Sequence, residues 1–186
     1  KGNQHTHYGN LLEPKILDYM NQRLNRVFKP DTIVNEDKLL RSNCDGISRG
    51  SESDVLLEIK TYGGPEFPYE QYLPQVQMYM EMANIDTCFL VGYQKPEDFY
   101  KGESFEKDFS DQYFNTDFDS ERLTIRCVDR DREFWKEIYS NIVAFQTCVE
   151  ELKTNPGMTK EQFDVNFEKE LSTTPSLDLG IDLEVL

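Results

Sequence analysis

The segment Asn43-Cys44-Asp45-Gly46-Ile47, followed by Ser48 to Ser53 and then Asp54-Val55-Leu56-Leu57-Glu58-Ile59-Lys60, constrains the fold more than any other part of the chain. It predicts two antiparallel strands folding back near Gly50 and Ser51, in a register that sets Asp45 beside Glu58. Side chains alternate faces along a strand at about 3.3 Å per residue, so Glu58 and Lys60 project from one face about 6–7 Å apart. Val55, Leu57 and Ile59 then point the other way, into a core. The outcome is two carboxylates and an ammonium on one patch.

That grouping suits magnesium-dependent phosphodiester chemistry. Mg²⁺ prefers oxygen ligands and binds through one or two carboxylates while keeping waters and substrate phosphate oxygens. Bound water ionises more readily, and the metal neutralises charge on the attacking and leaving oxygens. Lys60 adds a compact positive charge that can orient the water or stabilise the transition state. A salt-bridged strand pair on a solvated sheet face carries the same residues, so further segments are needed to decide.

Two segments bear on the choice. Tyr8 to Tyr19 predicts a first helix with Asn10 as N-cap and Glu13 three residues later, the spacing of a capping box. Pro14 then falls in the first turn, where backbone donors have no intrahelical partner. Leu73-Pro74-Gln75-Val76-Gln77-Met78-Tyr79-Met80-Glu81-Met82 predicts a helix opening near Pro74, with Gln75 and Tyr79 four apart on one face. Its methionines read as core filler or interface. Taken alone, Glu13 reads as a cap and Gln75 as helix-surface polarity.

Taken together and in this order, Gly9-x-x-x-Glu13, Asp45, Glu58-Ile59-Lys60 and Gln75-Val76-Gln77-Met78-Tyr79 resemble the PD-(D/E)XK nuclease superfamily. The resemblance is nearest to the branch of lambda exonuclease, YqaJ-like viral recombinases and RecB-type nuclease domains. It implies an α/β fold with a restriction-endonuclease-like core, a central mixed sheet flanked by helices. It implies Asp45 and Glu58 as principal ligands of Mg²⁺ (Mn²⁺ as substitute), the Ile59 carbonyl completing the shell, and Glu13 reaching the metal from its helix. Lys60 would be the catalytic lysine, supported by Gln75 and Tyr79. Cys44 stands where the nominal motif has proline, a position without a chemical role. The implied reaction is hydrolysis of DNA, with resection of duplex ends for recombination the leading expectation. A ring-shaped homo-oligomer and a single-strand annealing protein as partner come with it. An endonuclease or defence nuclease of the same fold is the alternative. So is a non-catalytic interaction protein with a DNA-mimicking acidic surface.

Charge is the main objection to a DNA enzyme, because phosphate neutralisation supplies most nucleic-acid affinity and the chain carries a net −15. The excess is uneven: residues 96–121 hold a net −7 and residues 155–186 a net −5, leaving about −3 elsewhere. Glu13, Asp45 and Glu58 account for three of those remaining acids and would be offset by metal. Lys15, Arg41 and Arg49 are the candidate phosphate contacts near the site.

The expected organisation is a nuclease domain over 1–154 and an acidic C-terminal extension over 155–186. Within the domain, an acidic, aromatic insertion at about 96–121 is expected at a subunit contact or over the sheet edge. Further expected elements are strands at Thr87–Tyr93 and Leu123–Val128, a long helix over Asp129–Lys153 ended by Asn155-Pro156-Gly157, and a short helix over Thr159–Leu171. The alternating tail Ser176–Leu183 reads as an edge strand or partner-binding peptide. The cysteines at 44, 88, 127 and 148 show no C-x-x-C pair, which predicts reduced, buried thiols and no iron–sulfur cluster. His5 and His7 read as solvent-facing. Neither a run of 18 apolar residues nor a secretory leader is legible, which predicts a cytoplasmic protein without membrane contact.

Overall fold

A computed structural model of the chain describes residues 3–50, 53–103 and 110–173. The chain divides into two compact units, Lys1–Arg130 and Asp131–Leu186. The expected boundary at 154 lies inside the second of these, between its two helices.

The first unit is built on a five-stranded mixed sheet whose strands lie in chain order. These are β1 (Lys29–Asn35), β2 (Leu40–Ser48), β3 (Val55–Tyr62), β4 (Thr87–Gln94) and β5 (Leu123–Asp129). β1–β2, β2–β3 and β4–β5 pair antiparallel, while β3 and β4 are parallel. Parallel neighbours need a crossover, and here it carries helix α2 (Leu73–Ala83), entered through a short 3₁₀ turn at Tyr69–Tyr72. The sheet and its flanking helices are the α/β fold that the sequence predicted.

Helix α1 (Gln4–Leu24) covers one face of the sheet. Tyr8, Leu12, Ile16 and Met20, spaced by four, are fully buried and share a core with Val55, Leu57 and Ile59 of β3 and Val91 and Tyr93 of β4. Each such side chain contributes roughly 1.5–3 kcal/mol of burial. On the other face Val76, Tyr79 and Met80 of α2 pack with Leu56, Tyr62, Cys88 and Leu90. β3 therefore alternates as its pattern required, and Glu58 and Lys60 occupy positions on the α2 face.

Helix α1 starts earlier than expected. Asn3 is its N-cap, accepting from the Thr6 N–H at 3.0 Å, and Asn10 and Pro14 both lie inside the helix. Glu13 is consequently no capping-box residue. Pro14 is tolerated because it sits on the exposed side, so its lost N–H costs one solvent-facing hydrogen bond rather than a buried one.

For the aromatic stretch after β4, expected over the sheet edge or at a subunit contact, the described residues add a core role. Phe99, Tyr100, Phe114 and Phe118 pack into the α1-side core, with Tyr8 and Phe99 edge to face at 5.2 Å and Tyr93 and Phe118 stacked at 5.8 Å. Phe105 and Phe109 lie outside the described residues. The histidines face solvent, His5 exposed and His7 partly so, while making surface contacts: His7 Nε2 lies 2.8 Å from Asp111 Oδ1, and His5 stacks on Phe99. Cys44, Cys88 and Cys148 are buried, but Cys127 is exposed, because Arg126 and Cys127 of β5 lie in its exposed stretch.

The second unit pairs α3 (Arg132–Thr154) with α4 (Lys160–Thr173). Asp131 caps α3 by accepting from the Phe134 N–H at 3.0 Å. Thr159 and Gln162 cap α4 reciprocally. Phe145 meets Phe163 edge to face at 5.8 Å and holds the two helices together. The expected tail element at 176–183 lies outside the described residues. Among those that are described, no helix is long and apolar enough to cross a membrane.

Candidate active site

The β2–β3 ladder runs Ser48↔Val55, Ile47↔Leu56 and Gly46↔Leu57 and stops there. Asp45 and Glu58 are the next pair in that register, at the point where the strands part. A side chain replaces the missing ladder bond: the Ile59 N–H donates to Asp45 Oδ2 at 2.7 Å. This fixes the Asp45 carboxylate and leaves Oδ1 without a hydrogen bond among the described residues. Gly46 makes the arrangement possible, since a Cβ there would lie 2.9 Å from Phe28 Cβ and 3.3 Å from both Leu17 and Leu57.

Glu58 is the centre of a polar cluster within the α2-side core. Its side chain is only 2% exposed. Oε1 accepts from Lys60 Nζ at 2.7 Å and from Gln75 Nε2 at 3.0 Å, and the same amide donates to Tyr79 Oη at 2.8 Å. Glu58 Oε2 is buried and makes no hydrogen bond among the described residues. A buried carboxylate oxygen left bare is costly, because an unsatisfied charged acceptor forfeits its full solvation.

The electrostatics of the cluster describe a shortage of positive charge. Burial, and then the neighbouring Asp45, push the Glu58 carboxyl up to about 7 despite Lys60. Burial also raises Asp45, against the opposing pull of the Ile59 N–H and Lys60. Glu13 is raised by burial and by Asp45 and lowered by Lys60, so the α1 carboxylate shares the field of this site. Burial disfavours the Lys60 ammonium, but Glu58 and Asp45 more than offset it and hold its pKa above the ordinary value. Lys60 also lies 5.4 Å from the centre of the Tyr72 ring.

Tyr72 belongs to an aromatic run that the sequence did not disclose. It stacks on Phe67 at 5.9 Å, and Phe67 packs on Tyr62 at 5.1 Å. Phe67 rests on Gly92, where a Cβ would approach the ring to 2.5 Å. Gly92 is the register partner of Lys60 on β4. The run thus connects the lysine to the sheet through contacts between segments with no shared spacing.

Whether these groups suit a divalent cation can be judged from the donors themselves. Among the described residues no three His, Cys, Asp or Glu side chains converge as a ready cluster. Mg²⁺, however, commonly takes one or two carboxylates plus waters. A bare buried Oε2 on Glu58, a pinned Asp45 with a free Oδ1, and three carboxyls raised by burial fit such an ion.

The three basic residues expected near the site are all held within the chain. Lys15 Nζ donates to the Thr116 carbonyl at 2.6 Å, and Arg49 pairs with Asp54 at 2.8 Å and with Asp31 at 3.9 Å. Arg41 Nε donates to Asn43 Oδ1 at 3.2 Å and remains exposed on β2.

Residues 1–86 match the sequence model of the YqaJ-like viral recombinase domain. The matched segment holds Glu13, Asp45, Glu58, Lys60, Gln75 and Tyr79, and the sheet it begins is completed by β4 and β5. Two solved structures share the fold. One is the phage-related exonuclease from Haemophilus somnus 129PT, with a TM-score of 0.53 and 17% identity over 92% of this chain and 73% of that one. The other is LHK-Exo, solved in complex with dAMP, with a TM-score of 0.54 and 16% identity over 92% of this chain and 72% of that one. No curated protein matches the chain.

Proposed function

We propose that this chain is a divalent-metal-dependent deoxyribonuclease of the phage recombination type, acting on duplex ends as an exonuclease. The observation that carries the reading is Glu58: a buried carboxylate with one oxygen bare, beside Asp45 and bonded to Lys60. Such a group destabilises the fold unless a cation is meant to meet it. The recombinase-domain match and the exonucleases that share the fold support DNA as the substrate.

In this reading Asp45 Oδ1, Glu58 Oε2 and the Ile59 carbonyl hold Mg²⁺ or Mn²⁺, with Glu13 contributing from α1. The bound ion supplies charge neutralisation at the phosphate and a more acidic water. The Ile59 N–H keeps Asp45 from rotating away, so its free oxygen stays aimed at the gap between the strands. Gln75 holds Glu58 in one rotamer through Oε1 and is itself held by Tyr79. Lys60, kept protonated by Glu58 and Asp45, donates to the water that attacks phosphorus or to a non-bridging oxygen as negative charge builds there. The ring-shaped oligomer and the annealing partner that the resemblance implies belong to the same proposal.

End-labelled linear duplex and closed-circular DNA, incubated with Mg²⁺, test it on the parent, Lys60→Ala and Asp45→Ala. Loss of the linear substrate alone, abolished in both variants, is the expected result. Nicking of the circle would make the enzyme an endonuclease. No cleavage by a folded parent in Mg²⁺ or Mn²⁺ would overturn the enzyme and favour a DNA-mimicking interaction protein.

A further inference from the structure

Lys60 has two neighbours of different chemistry. Glu58 Oε1 accepts from its Nζ at 2.7 Å, and the centre of the Tyr72 ring lies 5.4 Å from the same nitrogen. That is inside the roughly 6 Å at which a ring face attracts a cation. The two contacts differ in what they leave behind. An ammonium carries donors and no acceptor. A carboxylate takes up one donor and cancels the charge, whereas a ring face attracts the charge without cancelling it. The Tyr72 hydroxyl makes no hydrogen bond with a described residue, so the ring is what this side chain offers. Only 21% of the Lys60 side chain is exposed, so water screens the attraction little.

The ring is itself held in place. Tyr72 stacks on Phe67 at 5.9 Å, and Phe67 lies on Gly92, the β4 residue paired with Lys60. Lysine, glycine, phenylalanine and tyrosine thus close a circuit of contacts around one ammonium. Further along the chain, Gln75 Nε2 donates to Glu58 Oε1 at 3.0 Å. Tyr72 and Gln75 stand in i, i+3 relation at the start of α2 and share a side. One turn of chain therefore sets a ring against the ammonium and an amide against its carboxylate. At the other end of the 3₁₀ turn, Tyr69 carries the Arg126 guanidinium of β5, 5.0 Å from its ring centre. Side chains at i and i+3 eclipse in such a turn, so cations from β3 and β5 meet the same side of it.

We propose that Tyr72 is a positioning residue for DNA cleavage: its ring, seated on Phe67 and through it on Gly92, fixes the Lys60 ammonium where negative charge builds on the phosphate. Glu58 alone would draw the ammonium towards itself. The ring gives it a second point of attachment that leaves its remaining N–H groups free for the substrate. The role rests on the nuclease reading and extends it to what orients its lysine.

Single-turnover cleavage of linear duplex in Mg²⁺ is measured for the parent, Tyr72→Phe, Tyr72→Leu and a protein carrying pentafluorophenylalanine at position 72. Binding of the same duplex in Ca²⁺ is followed by anisotropy, and thermal melts confirm that each variant folds. Tyr72→Phe keeps the ring and should cut within about 2-fold of the parent. Tyr72→Leu should lower the maximal rate roughly 3- to 30-fold with DNA affinity unchanged. Pentafluorophenylalanine keeps the ring's shape but reverses its quadrupole, so it should fall at least as far as leucine. A fluorinated protein that cuts as fast as Tyr72→Phe overturns the positioning role and leaves the nuclease standing. So does a loss of rate matched by an equal loss of DNA affinity. A folded parent that cuts no DNA in Mg²⁺ or Mn²⁺ overturns both.

Discussion

Glu58→Gln should make the metal-free protein more stable near neutral pH and above, and not in acid. Glu58 titrates at about 7 in the folded chain against an ordinary 4.5, because burial and Asp45 disfavour its charged form. Between those values the folded state binds more protons than the unfolded one, so stability falls as pH rises. The contribution is complete below about 4.5 and lost once pH has passed through about 7, a difference on the order of 3 kcal/mol. Glutamine keeps the acceptor for Lys60 and Gln75 while removing the charge. The attraction of Lys60 for the carboxylate is already contained in that shift, so most of the difference, about 2–3 kcal/mol, remains as the gain at pH 8. For a chain of this size, 1 kcal/mol moves Tm by roughly 2–4 °C. Melts followed by circular dichroism in EDTA should therefore place the variant about 4–12 °C above the parent at pH 8 and close to it at pH 5. Adding Mg²⁺ should raise the parent's Tm and leave the variant's unchanged. A Tm difference that does not grow between pH 5 and pH 8 would refute the buried, uncompensated carboxylate.

Two further perturbations follow from the same geometry. Gly92→Ala drives a methyl into the Phe67 ring and should cost about 1–3 kcal/mol. It should also slow cleavage more than that loss of stability explains, because the Tyr72 ring beside Lys60 moves with Phe67. A melt paired with single-turnover rates on linear DNA separates the two effects. Metal affinity should fall on acidification, since protons compete for raised carboxyls. The Mg²⁺ concentration for half-maximal activity should be higher at pH 6 than at pH 8, and an identical requirement at both would exclude Glu58 as a ligand.

The strand pair was readable because its information is local. A period of two places Val55, Leu57 and Ile59 on one face and Glu58 and Lys60 on the other, and one turn fixes which residue opposes Asp45. The start of α1 was misread for an equally local reason: Pro14 pulls the expected helix start towards itself, whereas Asn3 supplies the real cap seven residues before Asn10. The fate of the 96–121 stretch is not local. Phe99, Phe114 and Phe118 lack a helical or strand period, and what buries them is α1, some 90 or more residues earlier in the chain. Tyr72 was silent for the same reason: it matters through Phe67 and Gly92, and such contacts leave no mark in residue spacing.

Gly46 shows that chemistry and tolerance to substitution need not coincide. It bears no functional group, yet Phe28, Leu17 and Leu57 close the space where its side chain would be. Any larger residue there must displace the backbone that carries Asp45. In a saturation library scored for activity, position 46 should therefore be as depleted as position 45, and the depletion should deepen with side-chain volume rather than with charge. The immobility of that glycine also means that the carboxylate beside it is oriented before any ligand arrives, so little conformational freedom is left to be lost when one does.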